Sequence, residues 1–99
     1  MNGVVGRVVK SKSGHDKGKF YCVVAVLDDK HVAVADGQKR TLQVPKKKNL
    51  RHLEITGTVF EGLKRLLTSE PVSSNLELRG WLKAFKKESF FGEGERRCN

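Results

Sequence analysis

The sequence predicts a mainly β protein, in which a small closed barrel of five short strands is followed by two α-helices. Over residues 1–56, short Val-rich or alternating segments are separated by Gly, Asp and Pro, a spacing typical of strands and tight turns in small barrels. After Thr56-Gly57 the apolar period changes from two residues to about 3.6, the period of an amphipathic helix. One domain is expected, because 99 residues with 37% apolar content support one modest core.

The strand predictions rest on composition and on turn residues. The predicted strands cover residues 4–10, 20–27, 31–35, 40–44 and 50–55. The second and third form a hairpin across the polar turn Asp28-Asp29-Lys30, and Asp36-Gly37 supplies a second tight turn. Pro45 cannot donate to a sheet ladder, so we expect it to end the fourth strand.

Two capping boxes and two apolar stripes predict the helices. Thr58 and Glu61 have capping-box spacing at the start of the first helix, and Pro71 lies beyond its end. Ser74 and Glu77 repeat that spacing at the start of the second helix. The apolar stripes consist of Val59, Phe60, Leu63, Leu66 and Leu67 in the first helix and of Leu78, Trp81, Leu82 and Phe85 in the second.

These patterns divide the chain into three parts. We expect the barrel in residues 1–56, a helical extension packed on it in residues 57–89, and a flexible tail in the aperiodic, glycine-rich residues 90–99. Trp81 belongs to the second apolar stripe, so packing in the core is favoured over stacking on a ligand.

The charge balance points to a polyanionic partner. The chain carries 20 Lys and Arg against 11 Asp and Glu, a formal net charge of +9, as is typical of nucleic-acid-binding proteins. Residues 1–55 hold 12 basic and 5 acidic residues, a balance of +7, whereas residues 56–99 hold 8 and 6, a balance of +2. We therefore expect the contact surface in the N-terminal half.

Cysteine usage and hydropathy disfavour secreted and membrane proteins. Cys22 and Cys98 are far apart, so neither a disulfide framework nor a zinc-binding spacing is indicated, and a reducing, cytoplasmic setting fits. The longest apolar run, residues 22–27, is far shorter than the ~18 residues of a membrane span. The N-terminus lacks the pattern of a secretory signal.

Catalysis finds little support in the sequence. His15, His31 and His52 are isolated, and no Ser-His-Asp or Cys-His set is recognisable. We expect no catalytic residue, no metal and no cofactor. An RNA-processing enzyme is the least favoured interpretation.

The turn between the first two strands is the first candidate contact site. Gly14 and Gly18 permit φ > 0, so the backbone there can approach a partner closely. Side-chain cations and turn N–H groups can bind phosphates without reading bases, so phosphate contact is one interpretation of this turn. The alternative is that the turn is only solvated and has no partner. The candidate RNA contacts in and beside this turn are Lys10, Lys12, Gly14, His15, Lys17, Gly18 and Lys19.

The segment after Pro45 is the second candidate site. Its candidate RNA contacts are Lys46, Lys47, Lys48, Arg51 and His52. Alone, such a run is an unspecific signal of an exposed basic patch or a localisation signal. We expect it to be a loop on the same rim of the barrel as the first turn, so that two remote segments form one basic surface. Arg40 is a further candidate, although pairing with Asp36 across its turn is the favoured explanation.

Three blocks of sequence, taken together in order, resemble a known family. GRVVKSKSGHDKGK, ADGQKR and VPKKKNLRHLE follow the pattern of KOW domains. The chain is similar to the small bacterial KOW-domain RNA-binding proteins that are related to the large-subunit ribosomal protein fourteen-e of archaea and eukaryotes. Weaker similarity continues through SSNLELRGWLKAF, whereas Trp81 and residues 90–99 depart from the family pattern.

The resemblance implies an SH3-like barrel, the binding of ribosomal or other structured RNA, and a cytoplasmic, translation-linked setting. It implies that Gly18 is the glycine at which the turn bends. It also implies that basic contact positions are occupied by Lys12, Lys17, Lys19, Lys46, Lys47 and Lys48.

We therefore expect a non-catalytic protein that binds ribosomal or other structured RNA through a basic rim of phosphate-contacting loops. The alternative is a protein-interaction module that docks onto ribosomal or transcription proteins through the barrel or the amphipathic second helix. The expected partner is RNA, with ribosomal proteins as further candidates and no membrane. A monomer is expected.

Overall fold

The computed structural model describes the backbone of residues 2–98 and the side chains of residues 3–87. Its strands are β1 (Arg7–Ser11), β2 (Phe20–Val26), β3 (His31–Ala35), β4 (Lys46–Asn49) and β5 (Leu53–Val59). Short 3₁₀ helices cover Asn2–Val4 and Leu50–His52, and the sheet is followed by α1 (Leu63–Leu67) and α2 (Pro71–Cys98). The strands form one antiparallel sheet in the order β4-β3-β2-β1-β5. The predicted class, a mainly β, SH3-like five-stranded domain followed by helices, is confirmed.

The sheet is barrel-like, but hydrogen bonding does not close it. β4 and β5 are the two edges of the strand order, and only the three residues of Leu50–His52 join them. The two edges therefore lie near each other without forming a ladder. Register shifts between Arg7 and Val9 and between Val23 and Ala25 bend β1 and β2. The expected closed barrel is thus corrected to a curved sheet with an open seam.

Alternating strand residues enter two hydrophobic clusters, one on each face of the sheet. Val8 and Val9 point to opposite clusters because side chains alternate along a strand. The face away from the helices carries Val4, Val9, Tyr21, Val23, Val32, Val34 and Leu53. The face toward the helices carries Val8, Cys22, Ala35, Leu42, Phe60, Leu63, Leu66, Leu78 and Leu82. The helices therefore cover one face of the sheet.

Aromatic side chains extend the second cluster along α2. The ring centroid of Trp81 lies 4.7 Å from that of Phe60 and 6.2 Å from that of Phe85. Phe85 in turn meets Phe20 of β2 edge-on, with 5.4 Å between ring centroids. The prediction that Trp81 packs in the core is confirmed.

The fourth strand is displaced from its predicted position. Residues 40–44 form a loop, and the strand begins at Lys46, directly after Pro45. Leu42 is buried against the helices, and its N–H donates to Asn75 Oδ1 of α2 at 2.9 Å. A side chain of α2 therefore satisfies the backbone group that the prediction assigned to a sheet ladder. Pro45 precedes the strand instead of ending it, a position that proline tolerates.

Neither predicted capping box starts a helix. β5 continues to Val59, and α1 begins only at Leu63, after Gly62. α2 begins at Pro71, where the carboxylate of Glu70 accepts hydrogen bonds from the N–H groups of Val72 and Ser73, each at 2.9 Å. Glu70 therefore caps the helix in place of the serine that the sequence predicts. Pro71 can occupy the first helical position because the N–H that it lacks has no partner in the first turn.

α2 also continues past its predicted end. Its backbone is helical through residues 90–98, where the sequence predicts an aperiodic tail. Leu78 and Leu82 anchor the helix in the core, and adding further turns to an existing helix is far easier than forming its first turn. Asn99 and the side chains of residues 88–98 lie outside the described residues.

Candidate nucleic-acid interface

The loop between β1 and β2 is a compact turn held by its own backbone. Gly14 and Gly18 have φ values of 83° and 92°, so the left-handed conformation predicted for both is confirmed. The N–H of Gly18 donates to the Ser11 carbonyl at 2.8 Å, and that of Lys19 to the Asp16 carbonyl at 2.9 Å. With the backbone fixed, the exposed basic side chains of the loop are Lys12, His15, Lys17 and Lys19.

A buried carboxylate, Asp16, lies beneath this loop. Four side chains donate hydrogen bonds to it: Ser11 (2.8 Å), Lys48 (3.0 Å), Tyr21 (2.9 Å) and Lys46 (3.2 Å). Burial raises the pKa of Asp16, but these hydrogen bonds outweigh burial and hold that pKa well below its usual range. Burial and Asp16 together raise the pKa of Tyr21, which therefore stays protonated and donates. Asp16 is thus an ionised group balanced by two ammonium groups.

Asp16 also joins the two lysine-rich segments. Lys48 of β4 reaches it from 32 residues further along the chain. Two more contacts link the loop to the 3₁₀ helix: the N–H of Lys12 donates to the His52 carbonyl at 2.8 Å, and Ser13 Oγ lies 3.0 Å from His52 Nδ1. The predicted proximity of the two segments is confirmed, although the second approaches the first as a strand and not as a loop.

The lysine run after Pro45 is not the exposed loop that the sequence predicts. It lies on the edge strand β4, where successive side chains point to opposite faces. Lys46 and Lys48 turn toward Asp16, and the side chain of Lys48 is only 10% exposed. Lys47 points the other way and is exposed. Of three lysines predicted to contact RNA, one is therefore available to a partner and two hold β4 to the loop.

The remaining predicted contacts near this end of the barrel differ in exposure. Six exposed basic side chains, here called the basic rim, are Lys12, His15, Lys17, Lys19, Lys47 and Arg51. His52 is half-buried and engaged with Ser13. Lys10 is exposed on β1, with its ammonium 5.8 Å from the centroid of the Phe20 ring, in the range of a cation–π contact.

Arg40 lies in the turn that follows β3, and it is exposed. Asp36 Oδ1 accepts hydrogen bonds from the N–H groups of Gln38 at 2.8 Å and of Arg40 at 3.0 Å. The expected stabilisation of this turn by Asp36 is confirmed, although it acts through the Arg40 backbone and not through the guanidinium as the sequence suggests.

Sequence reasoning misses a second set of cations, on α2. Arg79, Lys83 and Lys86 each follow a core residue by one position, so they form an exposed stripe beside the buried face of the helix. Together with Lys19 they line one groove. Their i, i+4, i+7 spacing is the signal that could have identified them.

Two further findings concern metal-ligating groups and membrane-spanning helices in the part of the chain that is described. His, Cys, Asp and Glu side chains there form no group of three that could hold a metal ion. The helices, over the same residues, include none with the length and apolar character needed to cross a bilayer.

Comparison with known proteins finds no family model and no curated protein that matches this chain.

Proposed function

We propose that this protein is a non-catalytic RNA-binding module that grips structured RNA through its basic rim. One observation carries the proposal: two basic segments remote in sequence are fixed side by side, with Lys12 and Asp16 of the loop bonded to His52 and Lys48. Among the described side chains, none of the six rim residues forms an ion pair with a carboxylate. Uncompensated cations on a rigid surface repel one another until a polyanion neutralises them.

The shape of the surface suits a phosphate backbone. Lys10, Lys12 and Lys17 line an open depression of about 580 Å³ with Gly18, and Glu54 is the acidic residue beside them. A Cβ placed on Gly18 would meet no atom within 4 Å, so the backbone leaves room there for a ligand to approach. Three cations against one carboxylate favour an anionic occupant.

The six residues of the rim lie on a loop, a strand edge and a 3₁₀ helix of three residues, so the rim itself presents no α-helix for insertion into a groove. Helical RNA has a deep, narrow major groove that side chains cannot read, so contacts to phosphates, ribose hydroxyls and irregular features are expected. Recognition should therefore depend on RNA shape more than on base sequence.

The resemblance to KOW-domain proteins supports the same proposal and extends it to ribosomal RNA, translation and the cytoplasm. The thiol of Cys22 is free and buried, and burial raises its pKa to about 12, so it is unreactive. A structural cysteine of this kind is compatible with a reducing compartment.

The test is the salt dependence of RNA affinity, measured by fluorescence anisotropy with a labelled RNA stem-loop. If about 5 phosphates are neutralised, log affinity should fall with log salt at a slope near −3.5 to −4.5. Replacing Lys12, Lys17 and Lys47 together by Gln should reduce the magnitude of that slope by about 2 to 3. Lys64→Gln, on exposed α1, is the control and should leave it unchanged. A wild-type slope near zero, or no binding, would contradict the proposal.

A protein-interaction module is the second candidate. Val72 and Leu76 are 67% and 58% exposed and line a shallow groove of about 390 Å³ on α2. The stripe of Leu78 and Trp81, by contrast, packs against this chain's own sheet and α1. A salt-insensitive protein partner that is lost on Leu76→Ser would favour this candidate, whereas RNA that co-purifies and is released by high salt favours the first.

A further inference from the structure

We infer that the groove between α2 and the start of β2 is a second RNA-backbone site, continuous with the basic rim. The inference rests on the proposed function and deepens it, since it assigns RNA contacts to the helical extension as well as to the barrel. The groove has a volume of about 280 Å³. Lys19 lines it together with three cations of α2, Arg79, Lys83 and Lys86.

The charge of the groove favours an anion. Four cations face it, and its acidic residue is Asp36. One carboxylate oxygen of Asp36 already accepts the N–H groups of Gln38 and Arg40, so that carboxylate is used in holding its own turn. The groove is therefore strongly electropositive, and phosphate groups are the ligands that would complement it.

The helix arranges these cations at a spacing that suits a polymer. Arg79 and Lys83 are one turn apart, and Lys86 lies just under one turn further, so the three form a row about 10 Å long. Because like charges at i, i+4 spacing slightly destabilise an isolated helix, this row of cations does not serve the stability of α2 itself. A row of cations along a groove fits successive phosphates of one strand better than a single small anion.

The floor of the groove is apolar. Phe20 and Leu82 line it between the cations. Leu82 is buried in the core, and Phe20 is half-buried with its ring edge against Phe85. An apolar floor between cationic walls would accept the ribose of a nucleotide while its phosphates meet the lysines.

The groove and the rim are parts of one surface. Lys19 belongs to both, and its backbone is fixed by hydrogen bonds to Ser11 and Asp16. The ammonium of Lys10 lies over the ring of Phe20, so a cation of β1 borders the groove floor. One RNA strand that meets the rim can therefore pass along α2 without leaving basic surface.

The experiment uses the full chain and the same labelled RNA stem-loop. Lys83→Gln and Lys86→Gln are made singly and together, since Gln removes the charge and retains helix propensity. Each single variant should reduce the magnitude of the salt slope by about 0.7 to 0.9, and the double variant by about twice that. Lys64→Gln carries the same charge change as one single variant, lines neither the groove nor the rim depression, and should not alter the slope. Circular dichroism melting confirms that each variant is folded.

The outcomes separate this inference from the proposed function. If wild type binds RNA and the double variant keeps its affinity and slope, the inference is overturned and the proposed function stands. If wild type binds no RNA, both fail. If RNA binding is unchanged in the double variant but binding of a polyglutamate peptide is lost, the groove takes an acidic protein segment, and the inference is again overturned.

Discussion

Asp16 and Lys48 form a buried ion pair, with 3.0 Å between the carboxylate and the ammonium and each side chain only 10% exposed. The pair joins the loop after β1 to the edge strand β4. A buried ion pair adds little net stability, because moving two charges out of water offsets their attraction. Removing one partner is nevertheless strongly destabilising, because the other charge then stays buried without compensation. The geometry of the basic rim therefore depends on a carboxylate buried beneath it.

Asp16→Asn should destabilise the fold by about 3 kcal/mol, because Lys48 is then left buried without a counter-charge. Urea unfolding followed by circular dichroism measures this. Asp29→Asn, which removes an exposed carboxylate from the turn between β2 and β3, serves as the control and should change stability little. Equal effects of the two substitutions would contradict a structural role for the Asp16 network.

The same carboxylate should set the acid sensitivity of the protein. The pKa of Asp16 is lower in the folded state than its ordinary value of 3.8, which applies to the unfolded chain. Its stabilisation is therefore fully present above about pH 4 and is lost as pH falls toward the folded-state pKa, since the unfolded state binds more protons there. Unfolding free energy measured against pH should fall more steeply below pH ~4 in wild type than in Asp16→Asn. Parallel curves would exclude Asp16 as the source.

Neighbouring lysines on β4 should behave differently. Lys47→Gln should weaken RNA binding and leave the melting temperature unchanged, because this side chain is exposed. Lys48→Gln should lower the melting temperature by several degrees, because the charge of Asp16 loses its closest ammonium. Anisotropy and thermal melting on both variants separate binding from stability. If the two variants changed RNA affinity and melting temperature alike, Lys47 and Lys48 would not have these different roles.

Replacement by alanine should have opposite effects on stability at two glycines, one where the turn after β3 meets α2 and one on the exposed side of α2. Gly37 has φ of 79°, and a Cβ there would lie 2.2 Å from the Asn75 carbonyl oxygen. Gly37→Ala should therefore destabilise by at least about 1–3 kcal/mol. Gly80→Ala, on the exposed side of α2 with nothing within 4 Å, should stabilise by about 0.5–1 kcal/mol. Denaturant unfolding of both variants checks the pair, and destabilisation by Gly80→Ala would argue against the register of α2.

The first three strands could be predicted from sequence because Val-rich alternation and glycine turns act locally. β2 and β3 begin at the predicted residues, and the glycines predicted to need positive φ have it. The proximity of the two basic segments was predicted as well, although the second segment reaches the loop as the edge strand β4 and not as the expected loop. Local pattern and global fold agree in this part of the chain.

β4 could not be predicted, because its formation depends on partners that are remote in sequence. A run of three lysines has little strand propensity, and it forms a strand here because β3 pairs with it and because two of its ammonium groups pair with Asp16. Leu42 carries a strand-like pattern but packs against α2. The same limitation applies to the role of Glu70, since long carboxylates cap helices less often than serine or threonine does.

An NMR titration of the amide signals with a short RNA stem-loop shows whether the two remote basic segments bind RNA as one surface. We expect that signals of the loop at Lys12, Lys17 and Lys19 and signals at Lys47 and Arg51 shift together, with one midpoint, and return on addition of salt. Shifts confined to one of the two segments, or shifts absent from both, would contradict it.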